Sequence, residues 1–309
     1  MAVTGDDLAA CRGHAFGDVA FRGTLGCAAV GVVEAVGQQT DAALIGRRVV
    51  ADPFCVHAVC DRVEAGLRAH ARDRSLLGLD GRDGVFADRF AAPVTALHPV
   101  PDHVDDDAAA LAVPLAAAVQ VLRQLTIEGR PYLTVLGDGR LGLLVAQLAR
   151  ELNATVRVVG RHDAKLRLCE KWGVQHRLLK DVGLHQDQDV VIDCSGRAEG
   201  FAIACRMVRP RGTVLLKTRG ARGRVAPPAP APAGHGDNAA AHDPLAAVVR
   251  HELSVLGSGF GPLPEAVDRL SRGDLDLASL VTRRMKLHDG VDALRVAAHA
   301  ESLFVLLEP

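Results

Sequence analysis

Aromatic side chains are scarce in this sequence: they make up 3% of its 309 residues, with one Trp and one Tyr. That scarcity excludes the stacking platforms on which single-stranded nucleic acids are held. Charge of one sign is missing too. Thirty-six basic residues face 37 acidic ones, for a net charge of −1, so no electrostatic footprint for a polyanion exists. No apolar run approaches the ~20 residues of a membrane-spanning helix. The opening Met1-Ala-Val-Thr-Gly-Asp-Asp7 is acidic and lacks the charged-then-apolar order of a signal peptide. Seven cysteines, an odd number at irregular spacing, read as reduced thiols and lead to the expectation of a cytoplasmic protein. What remains is a globular chain, 49% hydrophobic and long enough for two domains. Its expected partner is a small molecule, with no nucleic acid and no membrane.

What is present begins with Tyr132-Leu-Thr-Val-Leu-Gly-Asp-Gly-Arg-Leu-Gly-Leu-Leu-Val-Ala-Gln-Leu-Ala149. A short apolar run, 133–136, reads as a buried parallel strand. It leads into Gly137-Asp-Gly139-Arg140-Leu141-Gly142 and then into an apolar pattern of helical period. Each glycine has a physical task in a dinucleotide site. Gly137 permits the tight turn, Gly139 lets backbone approach a pyrophosphate, and Gly142 lets helix pack on strand. The helix start then presents free N–H groups and a positive dipole end to phosphates. A second strand, 155–159, follows at the spacing this arrangement requires.

Before this stretch the chain is punctuated by glycine turns. Strands are expected over 31–37 and 44–51, then an irregular polar segment over 54–84 that carries Cys55, His57, Cys60 and His70. A strand-and-turn pattern resumes over 85–101. The acidic run 102–107 suits the dipole of an Ala-rich helix over 108–124. From about 115 strands and helices alternate, the mark of a doubly wound parallel sheet. Strands are expected near 133–136, 155–159, 189–193, 213–217 and 253–257, with helices near 140–152, 162–173 and 197–208. Residues 221–244 are low-complexity and Pro/Ala-rich, and are expected to form a mobile loop. A helix over 245–252, helices near 264–272 and 289–300, and a closing strand over 302–307 complete the chain.

NAD-selective sites place an acidic residue at the end of the second strand, where it accepts hydrogen bonds from the ribose. Here Gly160 takes that place, followed by Arg161 and His162, with Lys165 a turn later. A missing carboxylate and added cations favour NADP(H) over NAD(H). Ser195 and Lys217 fall at the carboxyl edge of later strands, where ligands sit in such sheets, and join the expected cofactor set.

The chain resembles the medium-chain dehydrogenase/reductase superfamily, in its zinc-type alcohol dehydrogenase-like branch. Val135-Leu-Gly-Asp-Gly-Arg-Leu-Gly-Leu-Leu-Val-Ala-Gln147 and Met207-Val-Arg-Pro-Arg-Gly-Thr-Val-Leu-Leu-Lys217 carry the likeness most strongly. Arg22 to Glu34 is similar to the family's Gly-His-Glu-x-x-Gly-Val-Val block, and Gly81 to Ala87 to its Gly-x-x-Gly-x-Phe-Ala segment. The resemblance implies a GroES-like β-rich catalytic domain over 1–114, a Rossmann domain over 115–262, and a return to the first domain over 263–309. It also implies that the chain begins inside the family pattern, so that either the true start is upstream or the catalytic domain lacks its first strands, and that two copies pair through the edge strand near 253–257.

The departures from the family pattern concern metal. Where family members carry the Cys of Cys-Gly-x-Asp, this chain has Thr4. The His of Gly-His-Glu is Cys27 and its Glu is Ala28, while Val113 stands where a third ligand is expected. One thiol cannot hold a Zn²⁺ that needs three protein ligands and an open position, so catalytic zinc is not expected. The family's four structural cysteines fall on His57, Cys60, Val63 and Ala71. Cys55, His57, Cys60 and His70 offer an alternative Cys₂His₂ set at unusual spacing, and no metal residue is assigned.

Three readings remain open. The first is a zinc-independent oxidoreductase that moves a hydride between NADP(H) and a small carbonyl, alcohol or quinone-like substrate. Thr4 and Cys27 are then the candidate catalytic residues, with Asp6, Asp7 and His14 also near by sequence. The second is a cofactor-binding pseudoenzyme with a regulatory or assembly role. The third, an ordinary zinc alcohol dehydrogenase, is opposed by the missing ligands.

Overall fold

A computed structural model of the chain describes residues 1–14, 21–37, 42–197, 199–217 and 243–309. The segment 221–244, expected as a mobile loop, lies outside the described residues apart from Asp243 and Pro244. The chain divides into two compact units, residues 118–259 and residues 1–117 together with 260–309.

Six described strands of the first unit form one parallel sheet: β1 (Tyr132–Leu136), β2 (Thr155–Gly160), β3 (Gln175–Leu178), β4 (Gln188–Asp193), β5 (Val208–Leu216) and β6 (Ser254–Gly257). Their order in the sheet is β3-β2-β1-β4-β5-β6. Val135 on β1 lies between Val158 on β2 and Ile192 on β4, and all three side chains are fully buried. Strands covered on both faces need such continuous apolar runs. The order reverses between β1 and β4, which opens a crevice at their carboxyl ends, Leu136 and Asp193. Helix α1 (Arg140–Ala149) packs on this sheet, with every residue from Gly142 to Ala149 buried. Helix α2 (Gly200–Met207) buries Ala204, Cys205 and Met207 against Val191 and Val214.

The other unit is built of small sheets. Ala2–Val3 pairs antiparallel with Phe304–Glu308, which also pairs parallel with Val281–Lys286. Val30–Val32, Arg48–Ala51 and Leu97–Pro99 form a second sheet; Phe54–Val56, Arg74–Leu77 and Gly81–Arg82 form a third. The pairing of Ala2 with Leu306 brings the two ends of the chain together and leads directly into Thr4.

Several elements differ from the sequence reading. The strands expected over 31–37 and 44–51 are shorter, and Ala42–Leu44 forms a 3₁₀ turn instead. The helix expected over 108–124 is two, Asp106–Ala110 and Ala112–Arg123. That expected over 162–173 is two short turns, Asp163–Leu166 and Leu168–Lys171, tightened by i→i+3 bonds such as Glu170 N–H to the Arg167 carbonyl. The helix expected from 197 starts at Gly200. Strands at Gln175–Leu178 and Val281–Lys286 are not expected from sequence, because Gln-His-Arg-Leu and Val-Thr-Arg-Arg-Met-Lys carry too few apolar residues to give a strand signal. Among the described residues, no helix is long and apolar enough to cross a membrane.

Candidate functional site

The loop between β1 and α1 lies in the crevice at the switch point. Gly137 has φ +121°, and a Cβ there would approach the Cys194 carbonyl oxygen to 2.7 Å. Its N–H donates to the Val159 carbonyl at 2.7 Å, which ties the turn to β2. Gly142 packs so closely that a Cβ would come within 2.1 Å of the Gly137 carbonyl oxygen. Gly139 caps α1, and a Cβ there would meet nothing within 4 Å. The approach to the helix start is open at the position where a phosphate would sit.

A cavity of about 180 Å³ opens here, lined by Gly137, Gly139, Gly160 and Ser195 and by the cationic side chains of Arg161 and Lys165. His162 also lines it. Of the expected cofactor residues, Arg140, Leu141, Gly142 and Lys217 lie outside this lining. Gly142 serves the packing of α1 on the loop, and Arg140 and Leu141 form the first turn of α1. Lys217 is buried past the end of β5, where its ammonium donates to the Gly259 carbonyl and lies 3.4 Å from Ser258 Oγ. Ser195 N–H donates to Asp193 Oδ1 at 2.9 Å, and burial holds the Asp193 carboxyl above its ordinary range.

Two acidic residues that the sequence reading does not assign line the same cavity. Asp138 accepts from the backbone N–H groups of Arg161 and His162 at 2.7 and 2.6 Å. Glu199 accepts from Arg161 Nη2 at 2.9 Å, with both side chains about half exposed. The signal for Asp138 is faint but present: a short carboxylate stands between two glycines, opposite a strand that ends in glycine.

A second cluster lies in the β-rich unit. Thr4 caps the helix Gly5–Cys11 and forms a capping box with Asp7. The Asp7 carboxylate accepts from Thr4 N–H at 2.8 Å, from Thr4 Oγ1 at 2.7 Å and from Gly26 N–H at 3.2 Å. Thr4 Oγ1 lies 3.3 Å from Cys27 Sγ. Both side chains are buried, and Cys27 packs with Phe54, Leu76 and Leu79. Desolvation pushes the Asp7 pKa up to about 6, against the hydrogen bonds that lower it, and the charge of Asp6 adds to the rise. The structure therefore joins Thr4, Cys27 and Asp7, while His14 hydrogen-bonds through its backbone to Ala9 and not to this cluster.

Against this geometry stand two family models. The alcohol dehydrogenase GroES-like domain matches residues 1–102, and the zinc-binding dehydrogenase domain matches 141–272. The chain belongs to the medium-chain dehydrogenase/reductase superfamily. Its fold is the family's pairing of a GroES-like β-rich part with a Rossmann sheet.

Relatives of this chain include named dehydrogenases. The L-threonine 3-dehydrogenase of Mesorhizobium japonicum is 29% identical over 86% of this chain and 77% of its own. The sorbitol dehydrogenase of Halalkalibacterium halodurans is 25% identical over 99% of this chain and 89% of its own. Among solved structures, a protein of Sinorhizobium meliloti 1021, described as a zinc-binding dehydrogenase and bound to NADP, superposes with a TM-score of 0.82. It shares 26% identity over 100% of this chain and 89% of that one.

The residues that the resemblance places at the family's catalytic zinc do not make up a zinc donor set. Thr4, Cys27, Ala28 and Val113 supply one thiol where three protein ligands are needed. Among the described residues, no group of three or more His, Cys, Asp or Glu side chains could hold a metal. In the lobe that resembles a structural zinc site, His57 Nε2 lies 3.0 Å from Ser75 Oγ. Cys55 is buried in the strand Phe54–Val56, and Cys60 precedes the helix Asp61–Glu64.

Proposed function

We propose that the protein is an oxidoreductase that transfers a hydride between NADP(H) and a small carbonyl, alcohol or quinone-like substrate without zinc. The observation that carries this reading is the glycine loop at the switch point, whose open helix start shares one cavity with Arg161 and Lys165. A helix N-terminus favours the pyrophosphate, and the cations suit the 2′-phosphate that distinguishes NADP(H) from NAD(H). When bound, the nicotinamide supplies or accepts the hydride, and the protein supplies orientation and electrostatics. The substrate oxygen then exchanges a proton with the protein. Thr4 is the residue we assign to that exchange, because its hydroxyl is hydrogen-bonded to a carboxyl whose pKa is about 6, in the range suited to acid–base work near neutrality.

One observation favours a second reading. Cys27 and Thr4 are buried in contact with each other, as in a filled core, and a protein that binds cofactor without turning over substrate would show the same packing. Trp172 provides the deciding experiment, because it is buried within the Rossmann unit next to the turn Leu168–Lys171. Energy transfer from Trp172 to reduced nicotinamide should saturate with NADPH at lower concentration than with NADH. Turnover of a carbonyl or quinone panel with the preferred cofactor supports the enzyme. Binding without turnover of any substrate moves the reading to the pseudoenzyme, and no binding by folded protein removes both.

A further inference from the structure

Gly160 ends β2 without a side chain, and Asp138 fills the space it leaves. A Cβ on Gly160 would come within 2.5 Å of Asp138 Cβ and of Asp138 Oδ2. That same oxygen accepts the N–H groups of Arg161 and His162 at 2.7 and 2.6 Å, and His162 Nδ1 lies 3.1 Å from it. A carboxylate oxygen has about two good acceptor directions, so Oδ2 is fully engaged inside the protein. The Asp138 side chain is 10% exposed. In the usual dinucleotide site an acid at the end of the second strand reaches outward to the ribose. Here an acid from the first loop reaches inward to the strand end. Its bonds to two successive N–H groups fix the direction in which the chain leaves β2, and so the place from which the Arg161 side chain starts. Lys165, one turn later, lines the same cavity.

We propose that Asp138 is the positioning residue for cofactor selection: it locks the Gly160-Arg161-His162 turn so that its cations meet a 2′-phosphate. The proposal rests on the NADP(H) reading above. Asp138 acts through the turn and touches the cofactor's phosphate through neither charge nor hydrogen bond, so its shape as an acceptor matters and its negative charge does not.

The test measures dissociation constants for NADPH and NADH by Trp172 energy transfer in the wild type and in Asp138→Asn, Asp138→Ala and Gly160→Ala, each checked for folding by thermal melt. The Asn carbonyl oxygen can take the place of Oδ2 and keep both N–H bonds. Asp138→Asn should therefore preserve the preference for NADPH within about threefold. Asp138→Ala removes the lock, and Gly160→Ala displaces it from the other side. Each should lower the preference by about tenfold or more, through weaker NADPH binding with NADH little changed. Because the two disturb one contact from opposite sides, either suffices if the other fails to fold. A preference that falls as far in Asp138→Asn as in Asp138→Ala would mean that the charge itself reads the cofactor. Tighter NADPH binding in Asp138→Ala would mean that the carboxylate excludes the phosphate. Either result overturns the proposal, as does an unchanged preference in both Ala variants. A wild type that prefers NADH, or binds neither, overturns the NADP(H) reading together with this one.

Discussion

Thr4 Oγ1 lies 3.3 Å from Cys27 Sγ, at the two positions where the resemblance to zinc-dependent members of the superfamily leads to the expectation of Cys and His. The contact is held from below by Asp7, which binds both the Thr4 segment and Gly26 N–H. The two side chains brought together here are a hydroxyl and a thiol, a set that does not meet zinc's need for three protein ligands. We expect purified protein to contain well under one zinc per chain by elemental analysis. Prolonged chelation should leave both the melting temperature and any NADPH-dependent turnover unchanged. Stoichiometric zinc lost on chelation together with activity would overturn the zinc-independent reading.

Asp7 gives a prediction in pH. Burial raises its pKa from an ordinary 3.8 to about 6, so between those values the folded protein holds a proton that the unfolded chain has released. Stability from this group is therefore greatest below about pH 4 and is lost as pH rises through 6. The gap corresponds to about 3 kcal/mol. In Asp7→Asn this group no longer titrates. The stability of the wild type relative to Asp7→Asn should fall as pH rises from 4 to 7, measured by urea denaturation at a series of pH values. A relative stability that is flat, or rises with pH, would show that Asp7 is ionised throughout.

The glycines of the loop separate packing from binding. At Gly142 a Cβ meets the Gly137 carbonyl oxygen at 2.1 Å, and at Gly139 it meets nothing within 4 Å. Gly142→Ala should destabilise the Rossmann unit by about 1–3 kcal/mol, the usual range for an overpacked contact. Gly139→Ala should leave the melting temperature within about a degree or two and weaken NADPH binding by about tenfold, because the added methyl stands where backbone must approach a pyrophosphate. Paired melts and cofactor titrations of the two variants would check this division; unimpaired binding in Gly139→Ala would remove the pyrophosphate from this loop.

Legibility in the sequence follows how local each signal is. The run 133–136, the glycine spacing and the return of a strand at 155–159 carry their own local signals, since strand period, turn glycines and helix period sit side by side along the chain. The strand Gln175–Leu178 carries none, because at a sheet edge its polar side chains are tolerated. Asp138 is harder still. Within the glycine motif it stands at a position open to any residue, and its meaning comes from Gly160 and the two N–H groups beyond it. The link between Asp7 and Gly26 is of the same kind: a carboxylate finds backbone donors across a fold that periodicity does not describe.

Glu199 supplies the last prediction. It pairs with Arg161 at 2.9 Å and lies 4.0 Å from Arg197, and all three side chains are roughly half exposed. Its own backbone N–H, the largest influence, together with Arg161 holds its carboxyl below the usual range against the opposing effect of desolvation, so it is ionised at neutral pH. An anion already on Arg161 competes with a 2′-phosphate for the same guanidinium. Exposed pairs of this type are worth less than about 1 kcal/mol, so removing the competitor gives a modest gain. Glu199→Gln should tighten NADPH by about threefold and leave NADH unchanged, when both are titrated in low salt. The gain should shrink in about 0.5 M salt, where charges this exposed are screened. An equal gain for both cofactors would place the effect on the adenosine they share; weaker NADPH binding would mean that Glu199 orients Arg161 for the phosphate instead of competing with it.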